Sequence, residues 1–422
     1  MPSPSRLVVF TNAFPTDSVS EVTFIGPELL ELSRVFDQIL VVPGVVGSVA
    51  CRLPEGEITV DQTYPRMVHP DSIWERSGFA LRGISQPWCW KEITSEPALL
   101  GNPRMLARMV YCVETAQRTG SWLTALFADG RVDPRNTLVY TFWLDYRTAG
   151  AGLARRRFPE LKIVSRAHGT DVYEERHPLS YLPLRGQAMA TANEVVVVSE
   201  AARRHLQHRY PTHREKIRVA PLGTPDPGFV CPSSTDGVIR VVSCSRIVPV
   251  KRIDLLIDAL AMVHGELGGT PLEWHHLGGG EEHRRVEAHA AASLPAGVTW
   301  SCSGVIPPER VLSFYRDHPV DLFVSVSASE GKPVSIMEAQ SVSIPVLATA
   351  VGGVPEMVND SNGWLLPPNP TAEEVASGIL CAVRAHPSKT RRSASRRTWE
   401  SHHDSGRVSA EFAHRLRGLL DD

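Results

Sequence analysis

The chain reads as α/β, built as two doubly wound parallel-sheet units, and three observations carry that expectation. Short apolar runs alternate with helical periods along most of the sequence, the βα pattern that produces a parallel sheet covered on both faces. A stretch dense in Pro, Gly, Ser and Asp, PLGTPDPGFVCPSSTDG at 221–237, interrupts that alternation near the middle and reads as a linker. The length, 422 residues, accommodates two cores of about 200 residues each.

In the first half, residues 7–10, 38–42, 137–142, 162–165 and 194–199 have the apolar character of strands, with helices expected over 24–34, 147–158, 184–192 and 200–209. In the second half the strands are 238–243, 272–277, 298–301, 322–326 and 345–348, with helices near 251–264, 281–292 and 308–316. Residues 60–130 are the least regular part. There Trp74, Trp88, Trp90 and Trp122 are scattered among Pro and Gly, which suits core packing better than an acceptor surface. The closing stretch, 398–422, follows the basic run RRSASRR at 391–397 and places Val408, Phe412, Leu416 and Leu419 at helical spacing. The expected division is therefore 1–222, 223–397 and a terminal helix over 398–422.

The most informative stretch is DLFVSVSASEGKPVSIMEAQSVSIPVLATAVGGVPEMV at 321–358. A buried parallel strand runs into small polar residues at Ser327, Ala328 and Ser329, so a site should open at its carboxyl end, beside Glu330 and Gly331. Pro333 suits the first position of a helix, where a missing N–H costs nothing. That helix start offers backbone donors at Lys332, Val334 and Ser335 to an anionic phosphate. Glu338, eight residues after Glu330, can reach over the same pocket and accept from vicinal hydroxyls such as those of a ribose. Two cations, Arg246 and Lys251 in VVSCSRIVPVKRIDLLIDAL, follow an earlier strand end beside Ser245. They suit a diphosphate, with pairing to a local carboxylate such as Asp254 as the plainer alternative.

These residues carry a resemblance. E-G-K-P-V-S-I-M-E-A, followed by I-P-V-L-A-T and G-G-V-P-E, resembles the retaining glycosyltransferases of family 4, whose architecture is GT-B: two Rossmann-like doubly wound domains facing each other across a cleft. The resemblance implies an acceptor-binding first domain and a nucleotide-sugar-binding second domain, with the tail helix crossing back to the first. It implies a hexosyltransferase-type, metal-independent enzyme acting by front-face transfer. The sugar moves from a UDP- or GDP-sugar donor to a hydroxyl of a glycan, lipid-linked or small-molecule acceptor. Arg246 and Lys251 would hold the diphosphate, Glu330 and the following amides the sugar hydroxyls, and Glu338 the ribose. His168, in VSRAHGTDVY, corresponds to a first-domain histidine that approaches the donor sugar, with Asp171 placed to cap the next element. E-V-T-F-I at 21–25 is similar to a subgroup associated with exopolysaccharides such as colanic acid. In that loop Asp17, Ser18 and Ser20 are candidates to face the cleft, and Ser20 or Thr23 to cap a helix. LGGGEE at 277–282 and GVIPPERV at 304–311 would shape the nucleotide side.

Other classes lack support. A net charge of −2 gives no footprint for nucleic acid, although apolar helix residues beside Arg104 and Arg108 leave peripheral membrane contact open. The seven cysteines, at 51, 89, 112, 231, 244, 302 and 381, are scattered without a C-x-x-C pair, which points to a reducing cytoplasm. Neither an export signal nor a membrane span is expected from the apolar runs. No cofactor is expected: there is no Asp-x-Asp, no G-x-G-x-x-G, no Walker loop, no H-E-x-x-H and no G-x-S-x-G. Two alternatives share the fold: a nucleotide-sugar epimerase, and a nucleotide-sugar-binding protein without activity.

Overall fold

A computed structural model of the chain describes residues 4–15, 19–45, 47–48, 53–69, 78, 81–385 and 389–421. It divides into two compact units, Met1–Pro221 with Gly406–Asp422, and Leu222–Ser405. The first unit holds β1 (Arg6–Thr11), β2 (Gln38–Pro43), β3 (Ile58–Val60), β4 (Thr137–Thr141), β5 (Lys162–Ala167), β6 (Glu194–Val197) and β7 (Ile217–Val219), in the spatial order β3-β2-β1-β4-β5-β6-β7. The second holds β8 (Ile239–Cys244), β9 (Leu272–Leu277), β10 (Val298–Cys302), β11 (Leu322–Ser325), β12 (Val346–Thr349) and β13 (Gly363–Leu366), in the order β10-β9-β8-β11-β12-β13.

Both sheets are parallel throughout. In the first, Leu7 of β1 lies opposite Ile39 on one side and Leu138 on the other. Central strands are covered on both faces, so β4 buries all five of its residues and reads as a continuous apolar run rather than an alternation. In each sheet the chain leaves the centre in one direction and then in the other. The order reverses between β1 and β4 in the first unit and between β8 and β11 in the second, and loops at the carboxyl ends of such strand pairs form a crevice.

Residues 60–130 are more regular than their sequence suggests. Besides β3 they include the helices Thr63–Val68, Pro87–Ser95 and Pro103–Ala128, the last 26 residues long and capped by the Asn102 side chain, which accepts from Arg104 N and Met105 N. The seam of that long helix is made partly of small residues, which weakens its apolar period. A Cβ on Gly120 would lie 2.6 Å from Leu153 Cβ, and one on Gly150 2.4 Å from the Ala116 carbonyl oxygen, so the glycines set a close crossing with helix Tyr146–Arg157. Of the tryptophans, Trp74 lies outside the described residues. Trp88 packs on a core, Trp122 donates to Thr63 Oγ1 at 3.1 Å, and Trp90 is 60% exposed.

The expected linker is ordered packing. Cys231 is buried, Ser234 N donates to Asp321 Oδ1 at 2.9 Å, and Val320 N donates to Pro232 O at 3.0 Å. The tail divides at 405/406 rather than at 397/398. Helix Lys389–His402 belongs to the second unit: Arg392 donates to the carbonyls of Val320 and Cys231, Ser395 Oγ to Ile344 O, and the buried Trp399 to Thr224 Oγ1. Helix Ser405–Gly418 then belongs to the first unit and places Phe412, Ala413 and Leu416 in the core with Leu7, Ile25 and Tyr140. Among the described residues no helix is long and apolar enough to cross a membrane, and the six described cysteines are free.

Candidate functional site

The second unit's reversal point carries the cluster. Beyond β8 the chain passes Ser245 and Arg246 into a short turn, Pro249–Lys251, and beyond β11 it reaches Glu330. The two loops meet where Lys251 Nζ donates to Glu330 Oε1 at 2.5 Å. Alongside, Ala328 N donates to Val250 O at 2.8 Å. Arg252, in a left-handed conformation (φ 51°), extends its guanidinium to the carbonyls of Val326, Ser327 and Pro368 at 2.6, 3.0 and 2.9 Å. Arg252 therefore locks the end of β11 to the turn after β8. Asp254 is engaged by Arg285 at 2.9 Å, so the carboxylate that Lys251 pairs with is Glu330 instead.

Two glycine loops complete the walls by close backbone approach. At Gly278 (φ 139°) a Cβ would lie 2.0 Å from Ser245 O, and at Gly352 (φ 55°) 1.7 Å from Glu330 O, so neither position admits a side chain. Gly353 N donates to Gly331 O at 2.8 Å. Behind them the buried His276 receives a hydrogen bond at Nδ1 from Ser243 Oγ (2.8 Å) and donates from Nε2 to Ser245 O (3.1 Å), the tautomer that the carbonyl requires. Burial pushes its imidazole down to about 4, so the ring is neutral and acts as a brace for the Ser245–Arg246 turn.

The resulting cavity has a volume of about 840 Å³. Arg246, Lys251, Glu330, Lys332, Pro333, Val334, Ser335 and Glu338 all line it, and so do the triple glycine after β9 and Val305, Ile306 and Pro308 after β10. Gly331 does not line it; its carbonyl is occupied by the second glycine loop. The helix begins one residue later than expected, Val334–Ser341, with Pro333 at the cap position. The amides of Val334 and Ser335 precede the first intrahelical bond, from Met337 N to Pro333 O, and so remain donors at a positive helix end. Burial pushes the Glu338 carboxyl up to about 7. Burial also pulls the Lys332 ammonium down to about 8, although the charge of Glu356 opposes this.

His168 stands in the first unit, just beyond β5. Its ring lies 4.6 Å from Phe142 and 4.5 Å from Trp143, centroid to centroid, and neither ring nitrogen has a hydrogen-bond partner among the described residues. Asp171 does not cap a following element. Its carboxylate accepts from the backbone of His168, Gly169 and Leu144, holding the turn before it, and lies 3.7 Å from His168 Nδ1. Burial pushes the Asp171 carboxyl up, but the contacts with His168 and the charge of Arg185 outweigh it and hold the group below its ordinary value.

Sequence reasoning missed two residues of the first unit's reversal point. Glu21, 3% exposed, accepts from the amides of Asn12, Ala13 and Phe14, and from Trp143 Nε1 at 2.6 Å. It fixes the loop after β1 to the loop after β4, and Trp143 in turn packs on His168. The only signal was an acidic residue opening E-V-T-F-I. Asp17 and Ser18 lie outside the described residues, as does the side chain of Ser20. Thr23 sits inside helix Val19–Val35 rather than at its cap.

Two parallel-sheet α/β units with ligand-side loops at both reversal points define the GT-B class. Consistent with that fold, sucrose-phosphate synthase from Thermosynechococcus elongatus matches at a TM-score of 0.68, with 18% identity over 99% of each chain. Anabaena HepE in complex with UDP matches at 0.61, with 15% identity over 98% of this chain and 100% of that one. The glycosyl transferases group 1 model matches residues 233–398 and the glycosyltransferase family 4 model residues 142–226; the chain belongs to the family 4 glycosyltransferases. Among curated proteins, WcaL of Escherichia coli K12, a glycosyltransferase assigned to colanic acid biosynthesis, is 28% identical over 52% of this chain and 56% of its own length. The chain thus spans little more than half the length of the curated relatives it matches.

Proposed function

We propose that the protein transfers a hexose, with retention and without a metal, from a nucleotide sugar to a hydroxyl of a glycan, lipid-linked sugar or small-molecule acceptor. One observation carries the reading: the Lys251–Glu330 pair, the free helix amides of Val334 and Ser335, and Glu338 line a single cavity at a sheet reversal point. Arg246 and Lys251 take the diphosphate, joined by Lys332 and the two amides. Glu330 accepts from the sugar hydroxyls, and Glu338 from the ribose. As the bond from the anomeric carbon to the diphosphate oxygen breaks, the acceptor oxygen bonds to that carbon from the same face and its proton passes to the departing phosphate oxygen. The cations stabilise the charge that develops on this leaving group, the role often filled by a divalent ion. His168 serves as a hydrogen-bond partner of the sugar or acceptor rather than as a general base.

A UDP-sugar is the first donor to test, since the fold neighbour HepE was solved with UDP, and an exopolysaccharide intermediate is the first acceptor, given the relative assigned to colanic acid. Action in the cytoplasm, at the inner face of a membrane, belongs to the same reading. The exposed Leu81, Ile84, Trp90 and Leu100 fall within twenty residues of each other beside the exposed Arg104 and Arg108. The deciding experiment is thermal stabilisation by a panel of UDP-, GDP- and dTDP-sugars, in which a donor at about 100 times its Kd adds about 2.7 kcal/mol. Turnover of the stabilising donor must depend on an added acceptor. Turnover without one would turn the reading to the epimerase, and stabilisation with no turnover to the binding protein.

A further inference from the structure

The first unit contains a second cavity, of about 660 Å³, to which the reading above assigns no role. It lies among helix Pro87–Ser95, the loop leading into helix Arg185–Thr191, and the turn around Tyr210. We propose that this cavity is a saccharide site, and that Arg185 within it takes a carboxylate or phosphate carried by the sugar.

The argument begins with Arg185. It is 5% exposed, and its Nη1 is fully buried without a hydrogen-bond partner. Among the described residues it forms no ion pair within 4 Å, and a buried guanidinium nitrogen without a hydrogen-bond partner is costly unless something else supplies that partner. The carboxylates around it are already engaged. Glu92 Oε1 accepts from Tyr181 OH at 2.9 Å and from Leu184 N at 3.0 Å, and Glu174 is shared by His205 and Arg209 at 3.6 and 3.8 Å. Asp171 feels the charge of Arg185 but gives its oxygens to three backbone amides.

The rest of the lining decides the ligand class. The lining sets Lys91, Arg185 and Arg209 against Glu92, Glu96 and Glu174, so it offers a bare anion no net positive charge. A neutral sugar would leave the guanidinium unsatisfied. A polyhydroxylated acid answers both: its hydroxyls donate to the carboxylates and to Gln187, its acidic group faces Arg185, and Tyr181 and Tyr210 offer ring surface to its C–H face. The assignment is independent of the donor reading, because every residue it uses lies in the first unit.

The test measures binding of glucuronic acid, glucose 6-phosphate, glucose and inorganic phosphate to the full chain by saturation-transfer NMR and titration calorimetry. The first two separate a carboxylate from a phosphate source, and at least one of them is expected to bind about tenfold or more tightly than glucose or phosphate. Two variants locate the site. Arg185→Gln removes the charge. Gly186→Phe puts bulk into the cavity from a lining position where a Cβ meets nothing within 4 Å. Each should weaken the acidic sugar by about tenfold or more while UDP affinity stays within about twofold. Equal binding of glucose and the acidic sugars, equal binding of phosphate, full binding to Gly186→Phe, or no acidic-sugar binding at all would each overturn the proposal.

Discussion

Lys251 donates to Glu330 across 79 residues of sequence, at 2.5 Å, and so ties the loop after β8 to the loop after β11 before any ligand arrives. The side chains are 21% and 10% exposed, so the pair is partly desolvated and its charges are worth more than a surface bridge. Removing either partner has a distinct consequence. On the proposed reading Lys251→Met should weaken UDP by about tenfold, since the phosphate contact assigned to it would be lost in ground and transition states alike. Glu330→Gln should leave UDP within about twofold but lower kcat/KM for the donor sugar by about 10²-fold, a loss confined to the sugar end. Calorimetry with UDP and initial rates separate the two, and a Glu330→Gln enzyme with unchanged kcat/KM would remove that carboxylate from the reaction.

Donor binding should follow a narrow bell in pH. Glu338 has its carboxyl raised from its ordinary value to about 7, so the acceptor form that the proposed ribose contact requires is present above that value and is lost as pH falls through it. Lys332 is lowered from its ordinary value to about 8, so its positive charge is present below that value and is lost as pH rises. UDP affinity is therefore highest between about 7 and 8, falling on both sides. The same shift of Glu338 makes the unliganded protein lose stability as pH rises from the ordinary carboxylate range toward 7, because ionisation is then penalised only in the folded state. Glu338→Gln should abolish the acidic limb and Lys332→Met the alkaline one. Titration of UDP affinity over pH 6–9 reads both, and a flat profile in the parent protein would contradict the assignment.

The core of this site was legible because the strand end, the proline and the two glutamates of 321–358 all belong to one local βα unit, whose chemistry needs no long-range information. Arg246 and Lys251 were legible for the same reason. What was not legible depends on distant packing. That Gly331 turns its carbonyl to Gly353, and that Arg252 rather than Arg246 anchors the β11 end, follow from contacts over 22 and 74 residues. The helix Pro103–Ala128 was hidden because its seam uses Gly120 and Ala116 for close approach, so bulk apolar periodicity was diluted. The tail divided later than its basic run suggested, because Arg392 works as a buried donor to carbonyls rather than as a solvated charge.

Gly352 tests whether the second glycine loop positions Glu330. A Cβ there would lie 1.7 Å from the Glu330 carbonyl oxygen, and φ is 55°. Gly352→Ala must therefore move one loop off the other and should cost about 1–3 kcal/mol from the backbone alone. Displacement of Glu330 should lower kcat/KM for the donor sugar more than it lowers UDP affinity. Gly228→Ala is the control: it too has positive φ, 75°, but its Cβ meets nothing within 4 Å, so it should lose stability with activity unchanged. Thermal melts and rates on the two variants separate strain from displacement; equal activities would show that the loop does not position the carboxylate.

The first unit is pinned by a buried charge network whose disruption can be read directly. Arg166, wholly buried, donates from Nη2 to Glu28 at 2.7 Å, from Nε to Tyr140 OH at 2.8 Å and from Nη1 to Ala220 O at 2.7 Å, and Tyr140 OH itself donates to Glu28 at 2.7 Å. The guanidinium also lies 4.2 Å from the Phe412 ring centroid, so the network reaches the returning C-terminal helix. Removing one partner leaves an uncompensated charge out of water, and Glu28→Ala should cost about 3–5 kcal/mol. Replacing both charges with apolar groups, Glu28→Leu with Arg166→Met, removes that penalty and should recover most of the loss. Because two units can unfold separately, hydrogen exchange in β4 and β5 is the right readout rather than a single melting temperature. If the double variant is as unstable as Glu28→Ala, the hydrogen bonds to Tyr140 and Ala220, and not the charge pair, hold this core together.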